Sequence, residues 1–577
     1  MQNDDCSPPG ARSTEPPVAA EGAKAPLPPY VFGKYFWLTL LLFILTVVCV
    51  NPFWNTAIDD DWSYALTVKH LLDTGHYKLH DWATANMPFQ AYWGAGFAKL
   101  VGYSHASLRI STLALWLVGL IAFYCLGLEH GFAPDEAGLL MLMLFSSPIL
   151  LKMSFSFMTD VPYLSCFLTT LFIWTRALRT RQLGLMFLGS IAAAAAILTR
   201  QVGVALIGGL ILVWLAHKGR ARNAALLGIG LLLPLVALGW QLRQVSVAPT
   251  WAMKWNLFQQ AGYFSDPNTL LKSLWWRPVI ALQYLAFFTP PLVLLPLAGL
   301  MDRRRRAAGG GPARTSGTRL LLLVGVWVVA VLAVASQWRA APWPLPYVPT
   351  QFRILEQGPV FARVLLAGLT TLGAILLGWT FAGRYLSAGP WHESHRSERL
   401  IDLTTLCVVG GVLAFWVLED EYLLPLLPYG LLIVGRQFRS ALDRLKRPLA
   451  AACFAVLALS VMSARSHLAW TEAYWSAGEA IRTTGVEACE ISSSFEWVGY
   501  HCFEKFLAEH RNDPPDMQIY LDWLATQRVR GKYLVIGNLA SVDLRKYEPV
   551  VQMTCTLLPY WHRRLYVLKK IDPLPPK

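Results

Sequence analysis

Four aspartates stand out because each lies beside an apolar segment, where a carboxylate is costly to bury. Asp59, Asp60 and Asp61 are consecutive and follow the first apolar run closely, and Asp160 stands just before a later run. Charged side chains near membrane depth are rare and often mark substrate paths or proton relays. Two carboxylates meeting at one membrane face could perform acid–base chemistry on a membrane-delivered substrate. Asp60 and Asp160 are therefore the candidate catalytic pair.

Helix capping is a simpler interpretation of the same aspartates, since Asp is favoured at helix N-termini. One acid of the triplet, or Asp160 ahead of Pro162, could do only that. Three acids exceed what a single cap needs, so at least one should face solvent or substrate. Asp160 could instead orient an acceptor, or hold a divalent cation beside Asp60. Asp60 and Tyr64 share a face if a helix begins here, because they are four residues apart.

Basic residues predicted on the same side of the membrane could bind an anion. They are Lys69, Arg109, Lys152, Arg200, Arg243, Lys254 and Arg353. Arg200 directly follows an apolar run and is nearly intramembrane, so it should have an anionic partner. A phosphate would suit it, because a guanidinium can donate to two oxygens at once. Snorkelling of the side chain to the interface is the plainer alternative.

A later acidic segment, from Glu419 to Pro428, combines three acids with Tyr422 and two prolines. Two prolines in an apolar run should break or bend a helix at membrane depth. The backbone groups freed in this way must line a cavity or meet other protein groups. This segment would therefore suit the wall of a site.

These motifs must be positioned by membrane-spanning helices, because the composition is that of a polytopic membrane protein. Of the 577 residues, 55% are hydrophobic and only 15% are charged, whereas soluble domains carry about 25% charged residues. Spans need enough apolar residues to cross a core of about 30 Å. We predict thirteen of them, at 35–51, 108–128, 135–151, 161–176, 183–198, 202–217, 224–241, 278–300, 319–336, 361–383, 400–418, 422–435 and 449–464.

The placement of Lys and Arg predicts the orientation of the chain. With residues 1–33 as a disordered cytosolic tail, most basic runs fall in short cytosolic loops, as the positive-inside rule requires. The net charge of +14 then needs no nucleic acid partner. Residues 465–577 would lie outside the cytosol, where a predicted helix at 473–483 and strands at 532–537 and 564–568 indicate a small α/β domain.

The predicted non-cytosolic loops 52–107, 242–277 and 337–360 are rich in Trp, Tyr and Pro. We expect them to lie on the membrane as amphipathic helices, either as simple anchors or as walls for a lipid-linked substrate. Cys489 and Cys502 could form a disulfide on this side of the membrane.

Together these features resemble the GT-C superfamily of membrane glycosyltransferases, especially the protein O-mannosyltransferases and the bacterial aminoarabinose transferases that modify lipid A. The resemblance covers about residues 35–435 and rests on the order and side of the motifs and on the helix count. The matching positions are Asp60, Asp61 and Tyr64; Asn86-Met87-Pro88-Phe89 before Tyr92-Trp93; Arg109 and Ser111; Asp160; and Glu421-Tyr422-Leu423-Leu424-Pro425.

The resemblance implies a GT-C-type domain at residues 34–464, followed by the extracytoplasmic α/β domain at 465–577. Its implied activity is inverting transfer of a sugar from a polyprenyl-phosphate donor to a lipid, glycan or protein acceptor, among membrane lipids. Asp60 would act as the base, and an ordinary pKa would leave it ionised near pH 7. The implied substrate contacts are Asp61, Tyr64, Asn86, Arg109, Arg200, Arg353, Glu421 and Tyr422.

Two positions depart from the family pattern, in which Lys and Arg contact the donor phosphate. Asn86 and Glu421 stand at those positions, so phosphate binding would shift to Arg200 or Arg353, or the donor would differ. The alternative function is a transporter or flippase of a lipid-linked envelope precursor, which would need internal repeats and charges near the bilayer midplane. The chain has no Asn-x-Ser/Thr sequon, which favours a bacterial inner membrane over the endoplasmic reticulum.

Overall fold

The computed structural model describes residues 30–216, 224–308, 360–386, 396–558 and 561–571. Within these ranges the chain is mainly α-helical, with one small sheet near the C-terminus. Several predicted features lie outside the described residues. They are the span 319–336, Arg353, nearly all of the N-terminal tail 1–33 and nearly all of the aromatic loop 337–360.

The first half of the described chain is built of helices, which satisfy their own backbone hydrogen bonds where lipid cannot. These helices are α1 (Lys34–Val50), α2 (Asp61–Thr74), α3 (Pro88–Val101), α4 (His105–Glu129), α5 (Pro134–Phe145), α6 (Pro148–Ser154), α7 (Asp160–Thr180), α8 (Leu183–Ile197), α9 (Val204–Leu215) and α10 (Ala224–Val247).

The second half continues the helical bundle and ends in the sheet. Its helices are α11 (Trp251–Ser265), α12 (Pro267–Phe288), α13 (Pro290–Ala308), α14 (Val360–Leu386), α15 (Arg396–Ala414), α16 (Leu426–Gln437), α17 (Arg439–Arg444), α18 (Lys446–Arg482), α19 (Phe495–Glu509) and α20 (Met517–Arg530). Helix α11 and the start of α12 occupy the predicted loop 242–277, so that loop is helical as expected.

Two predicted spans are each divided between two helices. The span 135–151 becomes α5 and α6, which meet at 69°, and the span 278–300 runs across α12 and α13, which meet at 99°. Each second helix begins at a proline, Pro148 or Pro290. Proline lacks the N–H that would continue the preceding helix, so each break falls just before its proline.

Helices α4, α7, α10 and α18 are long and apolar enough to cross a membrane, and each bent pair would add one more such span. Helices α1 and α8 are among the shorter apolar helices. The chain is a helical membrane protein, and the total of thirteen crossings stays a prediction.

Helix α18 joins two segments that the sequence pattern treats separately, the span 449–464 and the helix 473–483. Its 37 residues correspond to about 55 Å at 1.5 Å per residue, well beyond a hydrocarbon core of about 30 Å. One end of α18 must therefore project from the bilayer. The described residues after Arg482, which we call the C-terminal segment, follow this helix.

The C-terminal sheet has the strand order β1-β2-β4-β3, with β1 (Ile491–Ser492), β2 (Tyr533–Ile536), β3 (Tyr547–Leu558) and β4 (Trp561–Lys570). Strand β1 is parallel to β2, and the other pairs are antiparallel. Both predicted strands are thus confirmed, within β2 and β4. Cys489 and Cys502 form a disulfide with Cα atoms 5.5 Å apart.

Helices α4 and α7 run side by side in the same direction and define two ends of the bundle. Their contact is close at Gly119, where a Cβ atom would lie 2.7 Å from the Ser165 hydroxyl. Both helices begin at what we call the acidic end, with Asp160 at the start of α7. Both finish at what we call the arginine-rich end, where Arg176 meets Glu129 at 3.0 Å.

Candidate active site

The Asp59–Asp61 triplet spans the end of the loop after α1 and the first residue of α2, and its first member, Asp59, forms an ion pair. Asp59 adopts a left-handed backbone conformation with φ of 51°, which Asp tolerates better than most residues. Its carboxylate lies 2.8 Å from Nζ of Lys152 on α6 and 3.9 Å from Nε2 of His467 on α18. Asp59 thereby joins three elements at the acidic end.

Asp61 ties the first acidic loop to the second. Its Oδ1 accepts a hydrogen bond from the Ile58 N–H at 2.8 Å, and its Oδ2 accepts one from the Phe157 N–H at 3.0 Å. Phe157 lies in the turn that precedes Asp160. The side chain is 1% exposed and both of its oxygens accept backbone N–H groups, so Asp61 links the two loops in this structure. Its contact with substrate stays a prediction.

Asp60 differs from both neighbours. It is the N-cap residue of α2, yet its side chain makes no capping hydrogen bond, so the capping interpretation does not account for it. Its Oδ1 instead accepts a hydrogen bond from the Trp82 indole N–H at 2.8 Å. In the described part of the chain, Asp60 forms no ion pair.

The surroundings of Asp60 hold its pKa above the ordinary value expected from the sequence. Burial raises the pKa of Asp60 to about 6, and the Asp59 and Glu421 carboxylates also raise this pKa. The Trp82 hydrogen bond and the Lys152 charge lower it. The ionised form that a base requires therefore predominates above about pH 6.

Asp160 and Arg200 form a buried ion pair between the start of α7 and the turn after α8. The anionic partner of Arg200 in this structure is thus a carboxylate of the protein. Oδ2 of Asp160 has no hydrogen-bond partner among the described residues. The Arg200 guanidinium carbon also lies 5.1 Å from the centre of the Tyr422 ring, within the range of a cation–π contact. Asp160 is placed to hold Arg200 more directly than to transfer a proton.

The acidic segment before α16 lies within electrostatic reach of Asp60, through Glu419 and Glu421. Burial raises the pKa of Glu419 to about 7, and the Glu421 and Asp60 carboxylates add to this rise. Asp420 is buried, which raises its pKa, and its Oδ1 accepts the Glu421 N–H at 3.0 Å. Several carboxylates thus share one region with few cations.

The prolines of this segment begin a helix instead of bending one, so that expectation is wrong. A 3₁₀ turn covers Asp420–Leu423, Pro425 is the N-cap residue of α16, and Pro428 lies in its first turn. Proline is well tolerated there, because the N–H groups of a first helical turn have no intrahelical acceptor.

Two further predicted site residues, Tyr64 and Asn86, are both buried. Burial raises the pKa of the Tyr64 hydroxyl. The positive charge of Arg200 lowers this pKa, and the negative charge of Asp60 raises it. Asn86 accepts a hydrogen bond from the Tyr77 hydroxyl at 2.8 Å, and its Nδ2 has no partner in the described chain. The position that departs from the family lysine thus offers a buried, unused donor.

The Arg109 guanidinium donates to backbone carbonyl oxygens, and its predicted contact with substrate stays a prediction. Its Nη1 donates to the carbonyl oxygens of Pro52 and Trp54 at 2.7 and 2.8 Å, and its Nη2 donates to that of Thr56 at 2.8 Å. The side chain is 1% exposed. Arg109 therefore shapes the loop that leads into the Asp59–Asp61 triplet.

The sequence does not predict the roles of two residues of the site. Trp82 is one tryptophan in an aromatic loop, and no pattern separates it from an interfacial anchor. The sequence indicates only that Lys152 is a basic residue on the non-cytosolic side of the membrane. Its ion-pair partner, Asp59, lies 93 positions away in the sequence. No local signal connects such positions.

A metal ion finds no ready ligand set here. Among the described residues, no group of three or more His, Cys, Asp or Glu side chains is arranged to hold one. A divalent cation beside Asp60 and Asp160 stays a prediction.

Residues 85–240 match the family model described as dolichyl-phosphate-mannose-protein mannosyltransferase. This stretch contains Asn86, Arg109, Asp160 and Arg200, whereas the Asp59–Asp61 triplet lies outside it. Over residues 85–240, this match agrees with the resemblance to the GT-C glycosyltransferases that the motifs predict. No curated protein matches the chain.

Among solved structures, the chain is similar to ArnT from Cupriavidus metallidurans in the apo state and bound to undecaprenyl phosphate. Both are 14% identical, each match covers 92% of this chain and 97% of that chain, and the TM-scores are 0.40 and 0.38. An oligosaccharyltransferase from Archaeoglobus fulgidus, in complex with Zn and sulfate, is 12% identical over 68% of this chain and 53% of that chain, with a TM-score of 0.30.

Proposed function

We propose that this glycosyltransferase moves a sugar from a polyprenyl-phosphate donor to an acceptor hydroxyl at the non-cytosolic membrane face. The observation that carries the proposal is Asp60. It is a partly buried carboxylate that accepts a hydrogen bond from a neutral indole N–H, and Tyr64 lies within electrostatic reach of both Asp60 and Arg200. A base and a cation therefore share one region of the acidic end.

Asp60 is the proposed general base. As the acceptor oxygen attacks the anomeric carbon, its proton passes to the Asp60 carboxylate, and the bond from that carbon to the phosphate oxygen breaks. Attack opposite the leaving group inverts the anomeric centre, and polyprenyl phosphate departs with the electron pair. Proton removal of this kind contributes about 10²–10⁴ to the rate.

Arg200 is the proposed partner of the leaving phosphate, whose negative charge grows as the bond breaks. Its Nη1 is engaged by Asp160, and a guanidinium has five N–H donors in a fixed fork. It can therefore hold Asp160 and a phosphate oxygen together. Asp160 then serves to fix Arg200, and Tyr422 supports the guanidinium face.

The non-cytosolic placement of the site is supported by the C-terminal segment. A disulfide such as Cys489–Cys502 persists mainly in oxidising compartments, and that segment contacts the acidic end through α19. This agrees with a bacterial inner membrane, a cytosolic N-terminus and a periplasmic C-terminal segment that helps to choose the acceptor.

The test is transfer by the purified protein in liposomes, with tritiated undecaprenyl-phosphate mannose and undecaprenyl-phosphate aminoarabinose as donors and a membrane extract as acceptor. Mass spectrometry of envelope glycans from cells with and without the gene identifies the product. Label that becomes covalently attached to acceptor supports a transferase. Label that only crosses the bilayer on its original lipid supports the transporter alternative and contradicts the proposal.

A further inference from the structure

Trp82 is the hydrogen-bond donor to Asp60, and its ring is enclosed by other aromatic side chains. The side chain is 8% exposed. Its ring centre lies 5.9 Å from that of Trp62, 6.0 Å from that of Trp251, 5.4 Å from that of Phe503 and 4.7 Å from that of Tyr520. Aromatic pairs at these separations are attractive beyond their buried area, so the indole has little freedom to turn.

Much of this enclosure comes from the C-terminal segment. Phe503 lies on α19 and Tyr520 lies on α20. Helix α19 also approaches α2 very closely, since a Cβ atom at Gly499 would lie 2.5 Å from the Trp62 ring. Packing in α19 and α20 therefore fixes the direction of the Trp82 N–H.

The N–H is the single polar group of an indole, and here it meets Oδ1 of Asp60 at 2.8 Å. We propose that Trp82 is the positioning residue of Asp60, and that α19 and α20 set the basicity of Asp60 through it. This inference rests on the proposed function, in which Asp60 is the base.

Other groups also act on Asp60 and must be kept constant in a test. Those within electrostatic reach are Asp59, Tyr64, Lys152, Glu419, Glu421 and Tyr520. None of them is changed when Trp82 is replaced. The Trp82 N–H stabilises the ionised carboxylate, so its removal should raise the pKa of Asp60.

The test is the pH dependence of kcat/KM for W82F, which keeps an aromatic ring but removes the donor. We expect the acidic limb of the profile to move upward by about one pH unit, as the loss of one hydrogen bond to a charged group would give. The matched control is W523F. Trp523 donates to the Glu509 carboxylate at 2.7 Å in the same cluster, so W523F should keep the wild-type limb.

A W82F profile with lower activity but an unshifted limb would show a merely structural role and overturn the inference. If W82F fails to fold, F503L tests the same claim, because it retains Trp82 and loosens its packing. Its limb should move in the same direction by a smaller amount, and an unmoved limb would overturn the inference. Full activity in D60N would instead refute the proposed function, which keeps the two failures distinct.

Discussion

Glu129 at the arginine-rich end and Asp60 at the acidic end have opposite sets of partners. The Glu129 carboxylate lies 3.0 Å from Arg176 and 3.1 Å from Arg179, and it accepts a hydrogen bond from the Tyr30 hydroxyl at 2.7 Å. Asp60 has one neutral donor, the Trp82 indole, although Asp59 and Asp160 beside it are paired with cations. A carboxylate is thus neutralised in Glu129 and left available in Asp60.

Glu136 strengthens this comparison. It pairs with Arg439 at 2.9 Å and accepts the Ala133 N–H at 2.8 Å, which completes a capping arrangement at the start of α5. An acid with both charge and hydrogen-bond partners stabilises the scaffold. Burial of an acid does not by itself indicate chemistry, and the set of partners distinguishes the two cases.

The largest effect is expected for D60N, which tests whether Asp60 differs in function from the paired acids. We expect transfer to fall by about 10²–10⁴, because the amide cannot accept the acceptor proton, while the protein still folds. Transfer of tritiated sugar in liposomes measures the loss.

The matched control for D60N is D73N. Asp73 lies on the same helix and pairs with Lys69 at 2.6 Å on the exposed surface, where an ion pair contributes little to stability. D73N should transfer at the wild-type rate. Equal rates in D60N and D73N would remove the distinction between the two kinds of acid.

A second prediction concerns the buried pair at the acidic end. R200M should lower kcat by about 10²–10³, as expected when one donor to a developing anion is lost. It should also destabilise the protein by about 3 kcal/mol, since the Asp160 charge is left buried without its partner. Thermal unfolding in detergent and single-turnover transfer measure these effects.

The double variant D160N/R200M separates stability from catalysis. It removes both charges, so the unfolding temperature should recover toward the wild-type value while kcat stays low. Recovery of kcat together with stability would show that Arg200 is purely structural.

The smallest effect on activity is expected at the arginine-rich end. E129Q leaves Arg176 and Arg179 without their carboxylate, which should cost about 2–3 kcal/mol of folding free energy. The unfolding temperature should fall by several degrees, with kcat per folded molecule unchanged. A loss of kcat comparable to that of D60N would contradict the division between the two ends.

Local patterns in the sequence predicted much of the scaffold. Periodicity and apolar length placed most helices, and β-branched and aromatic runs placed β2 and β4. The acidic motifs pointed to Asp60 and Asp160, and the basic residue after α8 pointed to Arg200. These features depend on neighbours in sequence, which is why they are readable there.

The partners of those residues could not be predicted in the same way. Arg109 donates to carbonyl groups more than fifty positions away, and Asp61 accepts an N–H from Phe157, 96 positions away. Trp82 reaches Asp60 only after the loop has folded. Such contacts depend on tertiary packing, so the sequence pattern placed all three aspartates in one class although each has a different partner set.

The most direct test of the account is the pH dependence of kcat/KM for the wild-type protein, since no substitution disturbs the site. Because burial raises the pKa of Asp60 to about 6, the base is lost as the pH falls through that value. We predict that kcat/KM falls tenfold per pH unit below about pH 6 and is level above it. A profile that is flat from about pH 4.5 to pH 8 would contradict the assignment of Asp60 as the base.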